Sequence, residues 1–339
     1  MSTAQISIVT RIIDELKAAD RICVVGHMRP DGDCVGSQVG LALALKALGK
    51  KVVCWNQDDV PPKLRFMVPQ SIMQKPEPGQ QFDVVVAIDC ASYERLGTVG
   101  ECVADRKMLI NIDHHSSNTR YGNIDWVSAR KPSTGELIFE LLKTAGWPIS
   151  SHIADCLYTA ISTDTGSFMY PTTRPETYQT AAELVELGAN LGKICQQVYQ
   201  SFPLSRVRLL RELFNRFKLT HNNEIAYFWL KKEDFKRTGA DQAETEGLID
   251  HLRDIEPVVV ACVLEETEPG VIRMSLRSKS RRVNVSKIAG LFGGGGHQAA
   301  AGARIEGKPI SVQRKVLRAI RNALDAVARP KPDEADGSK

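Results

Sequence analysis

The chain has 339 residues, 43% of them hydrophobic and 25% charged, and a formal charge of +4. That length exceeds a usual single core and predicts two domains, each with enough apolar content to fold. So small a charge excludes a broadly basic nucleic-acid coat, and no apolar stretch has the length of a membrane span.

The first residues, M-S-T-A-Q-I-S-I-V-T-R-I-I-D-E-L-K, read as an amphipathic helix without a signal peptide's apolar core, which predicts a cytoplasmic protein with no membrane partner. Arg21 to Gly26, R-I-C-V-V-G, is rich in β-branched residues and reads as a buried strand. His27 to Asp33, H-M-R-P-D-G-D, is then a loop at a strand's carboxyl end, where ligands bind in open α/β sheets. Gly32 allows a tight turn there, and Val35 to Leu48 reads as a helix stopped by Gly49. A second run, F-D-V-V-V-A-I-D, ends in Asp89; a third, M-L-I-N-I-D-H-H, ends in Asp113, His114 and His115. Pro132 to Glu136, P-S-T-G-E, reads as a helix start capped by Ser133 or Thr134. The more helical C-L-Y-T-A-I-S-T-D-T-G delivers Asp164 beside Gly166.

A helix is expected over Pro175 to Leu187, with a domain boundary after Gly188. Ile194 to Phe217 has helical patterning interrupted by Pro203, so a helical linker runs to about His221. The second domain opens on the strand-like E-I-A-Y-F-W-L and continues as a mixed sheet through Pro257 to Leu264 and Val271 to Leu276. Helices are expected at Ala243 to Leu252 and Val312 to Val327, and the tail from 329 to 339 reads as disordered. The cluster Arg273 to Arg282 is the expected source of any local positive field, suited to short anionic substrates rather than long duplexes. There is no internal repeat.

An aspartate after a strand is usually a turn residue or a helix cap. Four segments ending in acids or histidines have no such shared excuse, because uncompensated buried charges are costly. Carboxylates and imidazoles without thiolates suit Mn²⁺ or Mg²⁺. The eight cysteines form no C-x-x-C pair; Cys23, Cys54, Cys90 and Cys262 fall in apolar runs and read as buried reduced thiols, and Cys34 is not expected to be a nucleophile. His152, His221 and His251 read as surface or packing histidines, and the four tryptophans as core.

These four segments, in this order, resemble the motifs of the DHH phosphoesterase superfamily. The resemblance implies that His27, Asp31 and Asp89 hold one metal, that Asp33, Asp89, His114 and Asp164 hold another, and that Asp89 bridges both. It implies that His115 faces the substrate phosphate and that Asp113 supports the histidines. Two divalent ions, Mn²⁺ or Mg²⁺, spaced ~3.5–4 Å apart activate water for in-line attack, so hydrolysis without a covalent enzyme intermediate is expected.

Near the end, L-F-G-G-G-G-H-Q-A-A-A-G-A supplies Gly293 to Gly296 and His297, a glycine run whose backbone amides are expected to cradle an anion. It resembles a DHHA1 substrate-binding domain, which implies substrate contacts from Gly294, Gly295, Gly296, His297, Arg277 and Ser278; Arg281 and Arg282 are equally well read as a solvated turn. Ser133 is a further candidate contact. The fold class expected is thus α/β: a parallel-sheet DHH domain with flanking helices over 1–188, a linker over 189–220, and a smaller α/β DHHA1 domain over 221–328, with the active site in the interdomain cleft.

The compact layout resembles the bacterial nanoRNase type. This implies hydrolysis of short RNA oligonucleotides and of 3′-phosphoadenosine 5′-phosphate. A phosphodiesterase of linear or cyclic dinucleotides (pApA, cyclic di-AMP), an exopolyphosphatase and a catalytically silent nucleotide-binding protein stand as alternatives. Oligomeric state, a homodimer included, is left open.

Overall fold

The structure, a computed structural model, describes residues 3–328; the expected disordered tail lies outside them. The described residues fall into two compact units, divided between Ser201 and Phe202.

In the first unit, α1 (Thr3–Ala18) precedes β1 (Arg21–Val25), α2 (Gly32–Ala47), β2 (Lys51–Trp55), β3 (Met73–Gln74), β4 (Val84–Ile88), α3 (Thr98–Cys102), β5 (Leu109–Asp113) and β6 (Ile124–Val127). Helices α4 (Thr134–Ala145), α5 (Ser151–Asp164), α6 (Pro175–Glu186) and α7 (Leu191–Tyr199) follow. The strands form one parallel sheet in the order β3-β2-β1-β4-β5-β6. β4 and β5 are buried along their whole length because apolar clusters cover both faces. Strand order reverses between β1 and β4, so the loops after these two strands diverge and leave a crevice at the sheet's carboxyl edge.

α2 lies closely on α5. A Cβ on Gly36 would collide with the carbonyl oxygen of Cys156, and one on Gly40 would meet the Leu157 side chain at 2.9 Å. These two glycines bring the helix bearing Asp33 against the helix bearing Asp164.

The second unit holds α8 (Leu204–Arg216), β7 (Lys218–Thr220), β8 (Ile225–Leu230), α9 (Lys232–Thr238), α10 (Leu248–Arg253), β9 (Val260–Glu268), β10 (Val271–Ser278), α11 (Val285–Gly290), β11 (Gly295–Gly296), β12 (Ala300–Glu306) and α12 (Pro309–Ala328). Its sheet runs β11-β12-β10-β9-β8-β7 and is mixed: β8 and β9 are parallel, the other pairs antiparallel. One face packs on α11 and α12, the other on α8 and α10.

Two expectations from the sequence need correction. The single helix over Ala243 to Leu252 is a short 3₁₀ turn, Ala243–Thr245, followed by α10, because Gly247 takes a left-handed conformation between them (φ +74°). The expected linker is not wholly helical: Lys218–Thr220 pairs with β8 as the edge strand β7.

Candidate metal centre

Each acid and histidine sits where a strand or helix ends. β1 stops at Val25, and Gly26 follows with no room for a side chain, since its Cβ would strike the Cys34 thiol. His27 leaves the sheet there, Asp31 caps α2 by accepting from the Cys34 amide at 3.1 Å, and Asp33 lies in the first turn. Asp89 follows β4 in the left-handed region (φ +55°), its amide donating to Ile112 O at 3.0 Å. A non-glycine residue in that conformation stores strain, which the surrounding contacts must hold. Asp113 ends β5, with His114 and His115 next, and Asp164 ends α5.

Five of these side chains form two donor sets, and Asp164 lies beside the second. Ligand atoms of His27, Asp31 and Asp89 lie within 4.8 Å of one another, as do those of Asp33, Asp89 and His114. His27 Nε2 is 3.8 Å from Asp31 Oδ1 and 3.4 Å from Asp89 Oδ2. His114 Nε2 is 3.7 Å from Asp33 Oδ2, 3.5 Å from Asp89 Oδ1 and 3.3 Å from Asp164 Oδ2. Donors about 2.1 Å from a common ion are roughly 3–3.5 Å apart at neighbouring vertices. The spacings therefore suit coordination better than direct hydrogen bonding, and Asp89 offers one oxygen to each set.

The supporting contacts are short. The amides of Thr134 and Gly135, at the start of α4, donate to Asp33 Oδ2 and Oδ1 at 2.6 and 2.8 Å, and Ser37 Oγ donates to Oδ1 at 3.0 Å. The Thr134 hydroxyl donates to Asp89 Oδ1 at 3.0 Å. His27 Nδ1 is 2.8 Å from Met28 O, a contact that puts a proton on Nδ1 and turns Nε2 toward the carboxylates. Asp113 accepts from the His114 amide at 2.9 Å, from Asn118 Nδ2 at 2.6 Å and from His115 Nδ1 at 2.7 Å.

The electrostatics call for a cation. Burial, then the charges of Asp89, Asp164 and Asp31, push the Asp33 carboxyl well up; burial, Asp31 and Asp89 do the same to Asp164. Buried carboxylates that repel one another at this range need a positive partner, and hard oxygen donors with two imidazoles fit a divalent ion of the Mn²⁺ or Mg²⁺ kind. Burial lowers His114, leaving a neutral imidazole able to ligate. His115 differs: burial opposes its charge, but the bond to Asp113 and the nearness of Asp89 raise it to about 9. Asp113 is correspondingly lowered against its burial by His115 and Asn118.

Thr134, Gly135 and Asn118 were not expected in these roles. The P-S-T-G-E run signals a helix start, and a helix start offers unpaired amides to an anion, but nothing local says that the anion is Asp33, roughly a hundred residues away. Ser133 caps α4 by accepting from the Glu136 amide at 3.3 Å and is fully buried, so it presents nothing to a substrate.

The proposed substrate contacts lie in the second unit. Arg277 is half-buried on β10, with Nη1 donating to Leu276 O at 3.1 Å and Nε 3.6 Å from Asp250 Oδ1. Ser278 Oγ donates to Ser280 O at 2.9 Å. The expected amide cradle at the glycine run is corrected at Gly294. The amides of Gly293, Gly294 and His297 already donate to the carbonyls of Gly290, Ala289 and Ala300, and Gly295 and Gly296 pair with β12. Gly294 and Gly296 also serve close packing: a Cβ on Gly294 would collide with Gly302 O and one on Gly296 with Ala300 O, and Gly296 takes φ +138°.

Other candidates resolve as structural. His152 Nε2 is 2.8 Å from Met67 O, His221 faces Asp325 at 3.2 Å and His251 packs on Phe214. Trp55, Trp126 and Trp147 are buried. Cys90 follows β4 rather than lying within it, and all eight cysteines are unpaired. Burial raises the Cys34 thiol, which argues against a nucleophile.

Residues 21–161 match the family described as the DHH family, N-terminal domain, and residues 222–329 match the DHHA1 domain. A curated relative from Thermus thermophilus, named bifunctional oligoribonuclease and PAP phosphatase NrnA, is 33% identical over 92% of this chain and 93% of its own. The Bacillus subtilis protein of the same name is 29% identical over 87% of this chain and 93% of its own. Among solved structures, an exopolyphosphatase-related protein from Bacteroides fragilis aligns with a TM-score of 0.86 at 26% identity, over 95% of this chain and 98% of its own.

Proposed function

The chain belongs to the DHH family of phosphoesterases, and from that premise we propose that it hydrolyses short oligoribonucleotides to mononucleotides and 3′-phosphoadenosine 5′-phosphate to AMP. The observation that carries the chemistry is the division of Asp89 between two donor sets. The substrate class rests on similarity to relatives named for those activities over nearly their whole length.

His27, Asp31 and Asp89 would hold one divalent ion, and Asp33, Asp89, His114 and Asp164 the other, with Mn²⁺ favoured over Mg²⁺ by the imidazole donors. When bound, such a pair supplies Lewis-acid polarisation of the phosphoryl group and a water of lowered pKa. The chain's own groups set the geometry. The Thr134 and Gly135 amides fix Asp33, and the Thr134 hydroxyl fixes the rotamer of Asp89. His115, its Nδ1 proton held on Asp113, directs Nε2 toward the phosphate, where its proton neutralises charge on the departing oxygen. Arg277, Ser278 and His297 are the groups assigned to the remainder of the nucleotide. Eight free cysteines suit a reducing cytoplasm as the place of action.

The test is turnover by Mn²⁺-loaded protein of 5′-labelled RNA from two to twenty-four nucleotides, beside 3′-phosphoadenosine 5′-phosphate, cyclic di-AMP and polyphosphate. Fastest loss of the two- to five-nucleotide species and of the bisphosphate is expected. Preference for polyphosphate would give the substrate class of the exopolyphosphatase-related neighbour instead.

A further inference from the structure

We propose that the outward face of α12 is a second binding surface, one that takes the phosphate backbone of single-stranded RNA; the choice of RNA rests on the proposed function. Lys308, Arg314, Lys315, Arg318 and Arg321 are all exposed on or beside this helix, and no ion pair is formed by any of them among the described residues. At 100° per residue these five positions fall on one side, while Val312, Val316, Ile320 and Leu324 fall on the other and are buried in the core. The cations recur about once per turn, every ~5.4 Å, over roughly 20 Å of axis.

What sets them apart is their alignment on one helix face; several cations elsewhere meet acids, as Lys51 does Asp20, Lys107 Asp83, Lys143 Glu183 and Arg216 Asp234. Even Arg273, in the cluster from which a positive field was expected, pairs with Glu265 at 2.5 Å. The only acid in α12, Asp325, lies one turn beyond Arg321 and faces His221. With Asp325 subtracted, residues 308–328 carry a net +4, equal to the formal charge of the whole chain, so the excess is concentrated at this helix. Like charges three and four residues apart weaken a helix, a cost that a polyanion would relieve.

The start of the stripe is an open surface on which Lys308, Ile310, Ser311, Arg314, Lys315 and Arg318 lie side by side. Its guanidinium groups suit bidentate phosphate contacts, and Ile310, 69% exposed, offers an apolar step beside them. A bilayer is the poorer fit, because the apolar face that an interfacial helix must insert is already buried against the sheet.

The experiment compares the full chain with its Arg314→Glu/Lys315→Glu/Arg318→Glu variant by fluorescence anisotropy with a labelled twelve-nucleotide RNA in EDTA, across a salt series. Loss of three phosphate contacts should weaken binding at least tenfold at low salt and reduce the slope of log K against log salt by about 2. Turnover of a dinucleotide with Mn²⁺ should be unchanged, which also controls for folding. Equal affinity and slope in both proteins, no binding of the twelve-mer by the parent, or capture of anionic vesicles in preference to RNA would each overturn the inference. Failure of the parent to cleave the dinucleotide would instead strike at the proposed function, since the binding comparison is read without turnover.

Discussion

Thr134 holds Asp89 through its hydroxyl, at 3.0 Å, while its own amide holds Asp33 at 2.6 Å, so one residue at the start of α4 sets two carboxylates from separate parts of the sheet edge. All three are buried, and Asp89 is in a conformation it would not choose unaided. Outer-sphere hydrogen bonds of this kind are commonly worth 10–100-fold in metal affinity, roughly. Thr134→Val keeps the amide and the shape but removes the hydroxyl. It should weaken Mn²⁺ binding by about tenfold in calorimetric titration, with Thr134→Ser restoring it. Affinity unchanged in the valine variant would mean that strand β4 alone fixes Asp89.

The two donor sets differ in what they share. Asp31 belongs to the set with His27 and Asp89, whereas Asp89 reaches both His27 and His114. Asp31→Asn should therefore leave one strong Mn²⁺ equivalent per chain and Asp89→Asn none, read as stoichiometry by calorimetry or from the spin-coupled signal of a paired site by electron paramagnetic resonance. One tight equivalent surviving in the Asp89 variant would show that the sets are independent.

His115 is tied to Asp113 at 2.7 Å, with the same Nδ1 3.5 Å from Asp89 Oδ1. His115→Ala should lower kcat on a dinucleotide by about 10²–10⁴-fold, the range for loss of a general acid, and spare metal stoichiometry. Asn118→Ala, which loosens Asp113 but leaves the imidazole in place, should cost less than the histidine variant. Loss of metal on changing His115 would make it a ligand rather than a proton donor to the leaving oxygen.

Much of this site was legible in the chain because strand ends announce themselves. Three apolar runs rich in valine and isoleucine stop at His27, Asp89 and Asp113 for the same reason: the buried part of the sheet finishes there. What could not be read were contacts between distant segments. Asp33 and the α4 amides are 101 and 102 positions apart, and neither segment encodes the other's direction. The glycine run misled for a related reason. Its composition suggests open amides, yet those of Gly293, Gly294 and His297 are consumed by Gly290, Ala289 and Ala300, which only the turn geometry reveals. The break at Gly247 was hidden because a helical pattern continues on both sides of it.

Gly36 links packing to the metal centre. It lies on the face of α2 that meets α5, where an added methyl would press on the Cys156 carbonyl and come within 3.0 Å of Ala160 Cβ. Both partners are in the middle of a helix, so neither yields without moving backbone, and overpacking of this kind costs about 1–3 kcal/mol. Gly36→Ala should thus lower the melting temperature by several degrees. It should also do something that a remote core defect would not. α2 carries Asp33 and α5 carries Asp164, so parting the helices spreads the set around His114, whereas His27 and Asp31 belong to α2 and the loop before it and move together. The Mn²⁺ equivalent assigned to the His114 set should weaken while the other is retained. Equal loss at both, with the same fall in stability, would mean that the helix spacing set by Gly36 matters only for folding.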